Sequence, residues 1–195
     1  DLEDGFVSLS DDVFSLRKSF VSDPGLHRNG VLFADNVLSF AAASHGQRVA
    51  YSTLDPTTFN FNDIQLKSFR TSGPAEIVSI PPDGVTFSVP RRPVISRQGR
   101  FVSFIADLPG PMPWESKRGY FLRDTIANQT FQVPFSAPQQ ALSLGCTCDD
   151  PGMDIALCCG VEQVPLAITD GGRYVFYVDD GTTTPVAPYE NTRDP

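Results

Sequence analysis

Four cysteines in one short segment form the densest group of reactive side chains in the sequence. Cys146 and Cys148 are separated by one residue, and Cys158 and Cys159 are adjacent. A zinc site of four thiolates usually takes its ligands from pairs spaced by two to four residues, so this spacing suits a tetrahedral metal poorly. An even number of cysteines in a short acidic chain favours two disulfides and an oxidising compartment over zinc binding or free redox thiols.

The preferred disulfide pairing is nested, with Cys146 bonded to Cys159 and Cys148 bonded to Cys158. Nesting matches a hairpin whose arms meet around Asp149–Asp154. A bond between the adjacent Cys158 and Cys159 would strain the peptide that joins them. The acidic residues of this segment do not form a D-x-D-x-D-G calcium loop, so we expect them to be solvated turn residues.

The other reactive side chains do not form a catalytic motif. The two histidines, His27 and His45, both fall in predicted turns, and no G-x-S-x-G or phosphate-binding glycine motif occurs. We therefore predict a protein that is not an enzyme, with no catalytic residue, no cofactor and no metal. Asn128-Gln129-Thr130 is a glycosylation sequon on a predicted hairpin tip, which makes Asn128 a candidate glycosylation site.

Charge and hydropathy narrow the classes of partner. The chain has 195 residues and a net charge of −8, and lysine occurs only at positions 18, 67 and 117. Without a basic stripe, we expect no nucleic-acid binding. No apolar run approaches the roughly 18 residues that cross a bilayer, so we expect no membrane insertion.

A repeated hairpin is the element around which these residues are arranged. It occurs in Ala41–Tyr51, Pro93–Ile105 and Leu166–Val178. The alignment brings together three sets of residues, namely Gly46, Gly99 and Gly172, then Val49, Val102 and Val175, then Tyr51, Phe104 and Tyr177. A third-strand pattern follows in Asp63–Phe69 and Gly119–Thr125, where Lys67 aligns with Arg123. A hairpin followed by two further strands is typical of a β-propeller blade.

We therefore predict one all-β domain over residues 1–195, built from four-stranded antiparallel blades of an incomplete propeller with about three to four blades. The full repeats cover about 36–81 and 85–136, the partial repeats cover 1–22 and 164–195, and the cysteine insert covers 137–163. The segment Arg100–Ile105 is apolar on both faces rather than alternating, as expected for a sheet placed between two others. A β-sandwich with one very apolar strand is the alternative.

The predicted strands of the first full repeat are Val37–Ala43, Arg48–Thr53, Asp63–Phe69 and Ala75–Ile80. Near the N-terminus, Leu16 aligns with Leu66 and Leu122, so Val13–Lys18 is predicted to be the third strand of a blade. On this interpretation it completes the blade that Leu166–Asp179 begins, or pairs with a neighbouring copy.

The segments SRQGRFVSF and TDGGRYVFY, together with GYFLRDTIANQT, resemble the TolB-like β-propeller repeat, a relative of WD-type repeats. The resemblance covers about 36–179. His45-Gly46-Gln47 departs from the Asp-Gly-Arg of the family pattern, and Ala127-Asn128 departs from its Thr-Gly turn. The resemblance implies a protein-binding or scaffolding propeller, often outside the cytoplasm and sometimes joined to a peptidase domain. The family motif carries no catalytic residue.

The resulting expectation is a non-enzymatic extracellular or periplasmic module that assembles through blade or strand contacts. Its partner is another protein or further copies of itself, as a homo-oligomer, a filament or part of a longer chain. The candidate interface residues are Trp114, Val13, Phe14 and Leu16. The alternatives are a non-catalytic propeller domain of a larger secreted enzyme such as a peptidase, and a propeller that binds a glycan or small ligand.

Overall fold

The computed structural model describes residues 2–9, 12–18, 25–45, 47–58, 61–112, 116–133, 164–172, 174–178 and 189–190. In this part of the chain the regular elements are β-strands in four antiparallel sheets. The first sheet contains β1 (Leu2–Leu9), β2 (Asp12–Lys18), β3 (Gly25–Arg28) and β4 (Val31–Asp35). The second contains β5 (Val37–Ala43), β6 (Arg48–Leu54), β7 (Phe61–Ser68) and β8 (Glu76–Ile77). The third contains β9 (Ser88–Ile95), β10 (Phe101–Pro109), β11 (Ser116–Asp124) and β12 (Gln129–Val133). The fourth contains β13 (Val164–Ile168), β14 (Tyr174–Val178) and β15 (Tyr189–Glu190).

Each sheet is a meander, because its strands are hydrogen-bonded in the order in which they occur in the chain. This arrangement confirms the all-β class and the four-stranded antiparallel sheets. Within the described residues there is no helix that is long and apolar enough to span a bilayer.

The aligned positions of the predicted repeat occupy equivalent places in three sheets. Val49 pairs with Ala42, Val102 with Ile95 and Val175 with Ile168, so each pair is seven positions apart in the sequence. On the other side, Lys67 pairs with Val49 and Arg123 with Val102.

The conformation and burial of other aligned residues also agree with the repeat. Gly99 and Gly172 have φ angles of +77° and +69°, which glycine adopts without a steric penalty. Tyr51 and Phe104 are both buried. Gly46 and the side chain of Tyr177 lie outside the described part of the chain.

Three apolar clusters lie between successive sheets, so the sheets stack face to face in chain order. Between the first and second sheets lie Phe14, Leu16, Leu26, Val37, Val49, Tyr51 and Phe69. Between the second and third lie Ala43, Ala50, Ile64, Leu66, Val78, Ile95, Val102, Phe104, Ala106 and Phe121. Between the third and fourth lie Phe101, Ile105, Tyr120, Leu122, Val133, Ile168 and Val175. Strand β10 contributes to both of the last two clusters, which explains why its sequence is apolar on both faces.

The N-terminal segment differs from the prediction. Strands β1 to β4 form a four-stranded sheet of their own, and β2 is its second strand rather than a third strand. Because β1 and β3 pair with the two edges of β2, Val13–Lys18 cannot complete the sheet that contains Leu166–Val178. That sheet obtains its third strand from β15. The alignment failed because a leucine followed by a basic residue also occurs in this second strand.

Two predicted interface residues are core residues. Phe14 is 0% exposed and Leu16 is 4% exposed, and both pack against the second sheet. They are therefore not available to a partner. Val13 has 44% of its surface exposed and remains accessible. Trp114 lies outside the described residues.

Candidate functional site: an arginine-rich turn face

The turns that join first and second strands within a sheet, and those that join third and fourth strands, lie at one end of the stack. We call this end the turn face, and it comprises residues 29–30, 44–45, 47, 69–75, 96–100, 125–128 and 169–172 with the strand ends beside them. Neighbouring turns are joined by backbone hydrogen bonds. The His45 N–H donates to the Arg97 carbonyl at 3.0 Å, and the Phe69 N–H donates to the Gln47 carbonyl at 3.0 Å.

The turn face is rich in basic side chains although the whole chain has a net charge of −8. Its described basic residues are Arg28, His45, Arg48, Arg70, Arg97, Arg100 and Arg123. Its described acidic residues are Asp12, Glu76, Asp124 and Asp170. Six arginines against four carboxylates give this end of the described structure an excess of positive charge.

Arg28 joins the first sheet to the second. Its Nε donates to Asp12 Oδ1 at 2.7 Å, and its Nη1 donates to the Phe69 carbonyl at 2.5 Å. Asn29 Nδ2 also donates to Asp12 Oδ1, at 3.2 Å. The hydrogen bond from Arg28 is the main reason why the pKa of Asp12 lies below its usual value.

The ring of Phe69 has two guanidinium groups beside it. Arg28 lies 5.4 Å from the ring centroid and Arg70 lies 6.0 Å from it. Both distances allow a cation–π attraction. Arg28 also has Asp12 as an ionic partner, whereas Arg70 is exposed at the rim of the turn face.

His45 and Arg97 lie side by side where the second and third sheets meet. Arg97 Nη2 is 2.9 Å from His45 Nε2, and Arg97 Nε contacts His45 Nδ1. A neutral imidazole has one acceptor nitrogen and a protonated one has none, so at most one of these contacts is a conventional hydrogen bond. The two exposed side chains therefore offer more N–H donors than acceptors, which favours an approaching anion.

One more arginine reinforces this junction, and another forms an ion pair within the third sheet. Arg48, in the second sheet, donates from Nη1 to Thr125 Oγ1 of the third sheet at 3.3 Å. Arg100 binds Asp124 with two nitrogens, at 3.0 Å from Nε to Oδ1 and 2.5 Å from Nη2 to Oδ2. Burial alone would raise the pKa of Asp124, but hydrogen bonds from Arg100 and from the Ala127 and Ile126 N–H groups hold it below its usual value.

Arg123 is the buried cation of the turn face, with 2% of its surface exposed. Its Nη1 donates to Thr130 Oγ1 at 3.1 Å, and its Nη2 contacts Asn128 Oδ1. No hydrogen-bond partner lies near its buried Nε among the described residues. Burial lowers the pKa of Arg123, and the charges of Glu76 and Asp124 oppose that effect. Arg123 thus binds both functional residues of the sequon.

The candidate residues from the sequence are not brought together. Asn128 lies on the turn face, because it is exposed in the turn of residues 125–128. Its φ is 55°. Val13 lies on the opposite side of β2 from Phe14, facing away from the second sheet. Cys146, Cys148, Cys158 and Cys159 lie outside the described residues, as do Asp149, Asp150 and Asp154. In the described ranges no group of three or more His, Cys, Asp or Glu residues could hold a metal ion.

The sequence did not indicate the turn face, because its arginines are scattered between positions 28 and 123. Only the meander topology places them at one end. A usable signal was present, since each of these cations lies in a turn or at a strand end next to one.

Comparisons with known proteins identify a similar fold but no family. No protein-family model matches the sequence, and no curated protein matches it. Among solved structures, a chain of the hydrazine synthase of Kuenenia stuttgartiensis is similar, with a TM-score of 0.50 and 10% sequence identity. The alignment covers 91% of this chain and 49% of that chain, so this chain spans about half the length of the similar structure. At this identity the likeness concerns the fold alone.

Proposed function

We propose that this chain is a non-enzymatic structural or protein-interaction module made of β-propeller blades of the TolB-like kind. Four meander sheets that stack face to face support this architecture. The first strands of the last three sheets lie close together, since β9 contacts β5 and β13 as well as β6 and β7 of the second sheet. Such convergence is expected where blades surround an axis.

One observation carries the assembly part of the proposal. The outer face of the first sheet, which points away from the second sheet, exposes apolar side chains. Val13 is 44% exposed and Leu32 is 53% exposed. Ser15 of β2 pairs with His27 of β3, and these two residues lie between Val13 and Leu32 in the sheet. Fully burying a Val or Leu side chain contributes about 1.5–3 kcal/mol, so covering this face favours association.

The proposed occupant of this face is a blade from a second copy of the chain. The second and third sheets each have both faces covered by a neighbouring sheet, and a further sheet would continue the same packing on the first. A contact of this type is head to tail, so it closes into a ring or extends into a filament according to its rotation.

The oligomeric state tests this proposal. The native mass of the wild-type chain should increase with concentration, and a Val13→Glu, Leu32→Glu variant should remain monomeric because it would bury two carboxylates. Ile126→Glu serves as the control, since Ile126 is 74% exposed on the turn face instead. A wild-type chain that stays monomeric at every concentration contradicts assembly through this face.

The extracytoplasmic location is a separate part of the proposal. It rests on the cysteine cluster and the Asn128 sequon of the sequence. Peptide mapping without reduction should find the pairs Cys146–Cys159 and Cys148–Cys158. Four free thiols or bound zinc would contradict this disulfide pairing. Intact mass of the native protein reports whether Asn128 carries a glycan.

A second candidate is a non-catalytic propeller domain of a larger enzyme. The similar solved chain is about twice as long and belongs to a protein named as an enzyme, which makes this alternative concrete. The full-length gene distinguishes the two candidates, because a larger enzyme would carry an appended catalytic domain.

A further inference from the structure

Exposed basic side chains of the turn face form a continuous row that spans two sheets. Arg97 of the third sheet contacts His45 of the second, and the Gln47–Phe69 backbone hydrogen bond places Arg70 in the next turn. His45, Arg70 and Arg97 are exposed, and Arg48 is half-buried beside them. We call these four residues the arginine row.

The arginine row differs from the other cations of the turn face in its partners. Arg28 and Arg100 form ion pairs with Asp12 and Asp124. The hydrogen bonds and ring contacts of Arg48, Arg70 and Arg97 are with Thr125, the ring of Phe69 and His45. Arg70 has no carboxylate in direct ion-pair contact within the described ranges, although its charge helps to lower the pKa of Asp12. The row therefore retains positive charge that a partner can neutralise.

Side-chain contacts hold part of the row in place. Arg48 bridges from the second sheet to the third through Thr125, and Arg97 contacts His45. Cations held in place lose little conformational entropy when a ligand binds. A preorganised row of donors is suited to selective binding of anionic groups.

From these contacts we propose that the arginine row binds an acidic polypeptide segment. The row runs from Arg97 through the contacting His45 to Arg70 in a further turn, so a segment with several carboxylates can contact more of it than a single small anion can. An extended peptide rises about 3.3 Å per residue and can therefore present successive carboxylates along the row. The net charge of −8 disfavours approach of such a segment to the acidic parts of the surface, so its binding relies on the local positive charge of this face. This inference does not depend on the outer face of the first sheet.

The direct test is fluorescence anisotropy with a labelled twelve-residue polyglutamate at low ionic strength. We expect saturable binding that weakens as salt is added. Arg97→Glu and Arg70→Glu should each weaken binding by about tenfold, because each reverses a charge in the row. Arg97→Lys should weaken it less, because the charge remains while the planar fork of donors is lost.

The matched control is Lys117→Glu. Lys117 is exposed at the start of β11, at the opposite end of the stack, and its replacement changes the net charge by the same amount as Arg97→Glu. Binding by this variant should stay within about twofold of wild type. Thermal unfolding of all variants verifies that they fold.

Three outcomes would overturn the proposal. The first is absence of polyglutamate binding by the folded wild-type chain at low salt. The second is an equal loss of binding in Lys117→Glu and Arg97→Glu, which would indicate attraction by net charge alone. The third is binding of a sulfated polysaccharide such as heparin without binding of polyglutamate, which would assign the row to a glycan.

Discussion

Gly172, in the turn of the fourth sheet, lies against the ring of Phe101 in the third sheet. A Cβ atom on residue 172 would come within 2.6 Å of three carbons of that ring, far inside van der Waals contact. Gly172 also has a φ of +69°, in the region that other residues rarely adopt. The position of Phe101 is itself restricted, because the guanidinium of Arg100 lies 4.7 Å from the centroid of the Phe101 ring. The junction of these sheets therefore requires glycine at this position.

We predict that Gly172→Ala destabilises the protein through two effects. The left-handed backbone costs about 1–3 kcal/mol for a residue with a side chain. Displacing Phe101 adds about 1–3 kcal/mol, as overpacked sites do. Urea unfolding should show a lower midpoint with little change in slope.

Two other glycines separate these effects. Gly30 has a φ of +78° but no atom within 4 Å of an added Cβ, so Gly30→Ala should show the backbone cost alone. Gly171 has open space around it and no left-handed φ, so Gly171→Ala should be nearly neutral. Equal losses in Gly172→Ala and Gly30→Ala would show that the Phe101 contact carries no cost.

The sequence predicted the second and third sheets because the strand pattern and the turn residues agree there. The predicted strand Val37–Ala43 coincides with β5, and the turn at Gly99 is where the pattern put it. A strand that is apolar on both faces, such as β10, has a pattern that is hard to confuse with a solvated strand. The predicted strand Ala75–Ile80 is shorter in the structure, where β8 covers only Glu76–Ile77. It lies at the sheet edge, and Val78 is buried in the core although it falls outside the strand.

The first sheet was not predicted as a unit because two of its strands, β3 and β4, are short and one turn signal was overlooked. Asn29-Gly30 connects β3 to β4, with φ angles of 50° and 78°. An Asn-Gly pair between apolar residues is a strong hairpin signal, because both residues tolerate positive φ. Strand β3 has only four residues, too few for alternation to be visible.

The arginine row could not be read from local sequence. Arg97 and His45 are 52 positions apart, and Arg48 and Thr125 are 77 apart. Local patterns specify strands and turns, whereas these contacts depend on how whole sheets stack. The arginine row could therefore be identified only from the structure.

A second prediction concerns the core between the second and third sheets. Phe104 is fully buried, stacks on Phe121 with centroids 5.5 Å apart, and meets Phe87 edge-on at 5.7 Å. Phe104→Ala should lower the free energy of unfolding by about 3–5 kcal/mol, through lost burial and a cavity. Ile126→Ala, at a residue 74% exposed, should change it by less than about 0.5 kcal/mol. A loss below about 1 kcal/mol at Phe104 would contradict this packing.

A third prediction concerns acid stability. The pKa of Asp124 is lower in the folded protein than its unfolded value of about 3.9. The ionised carboxylate therefore stabilises the fold above that value, and this contribution is lost as the pH falls through the folded pKa. Asp124→Asn should be less stable than wild type at pH 7, and the difference should narrow below about pH 4. Urea unfolding across this range measures it, and a difference that does not change with pH would show that Asp124 contributes through packing alone.

The last prediction concerns alkaline stability and the phenol of Tyr51. Tyr51 is buried between the first and second sheets, and its hydroxyl donates to Gln65 Oε1 at 2.9 Å. Burial disfavours the phenolate and raises the pKa of Tyr51 to about 12. Because the folded pKa exceeds the unfolded value of about 10, this contribution is fully present below pH 10 and is lost as the pH rises towards 12.

The comparison with Tyr51→Phe isolates this effect, because the variant keeps the ring and removes the ionisable hydroxyl. The stability of wild type relative to Tyr51→Phe should fall between about pH 10 and pH 12. The difference between their ultraviolet titrations should show one phenol that ionises at about pH 12. A Tyr51 that ionises near pH 10 while the protein remains folded would mean that water reaches the hydroxyl, and that the first two sheets do not pack tightly around it.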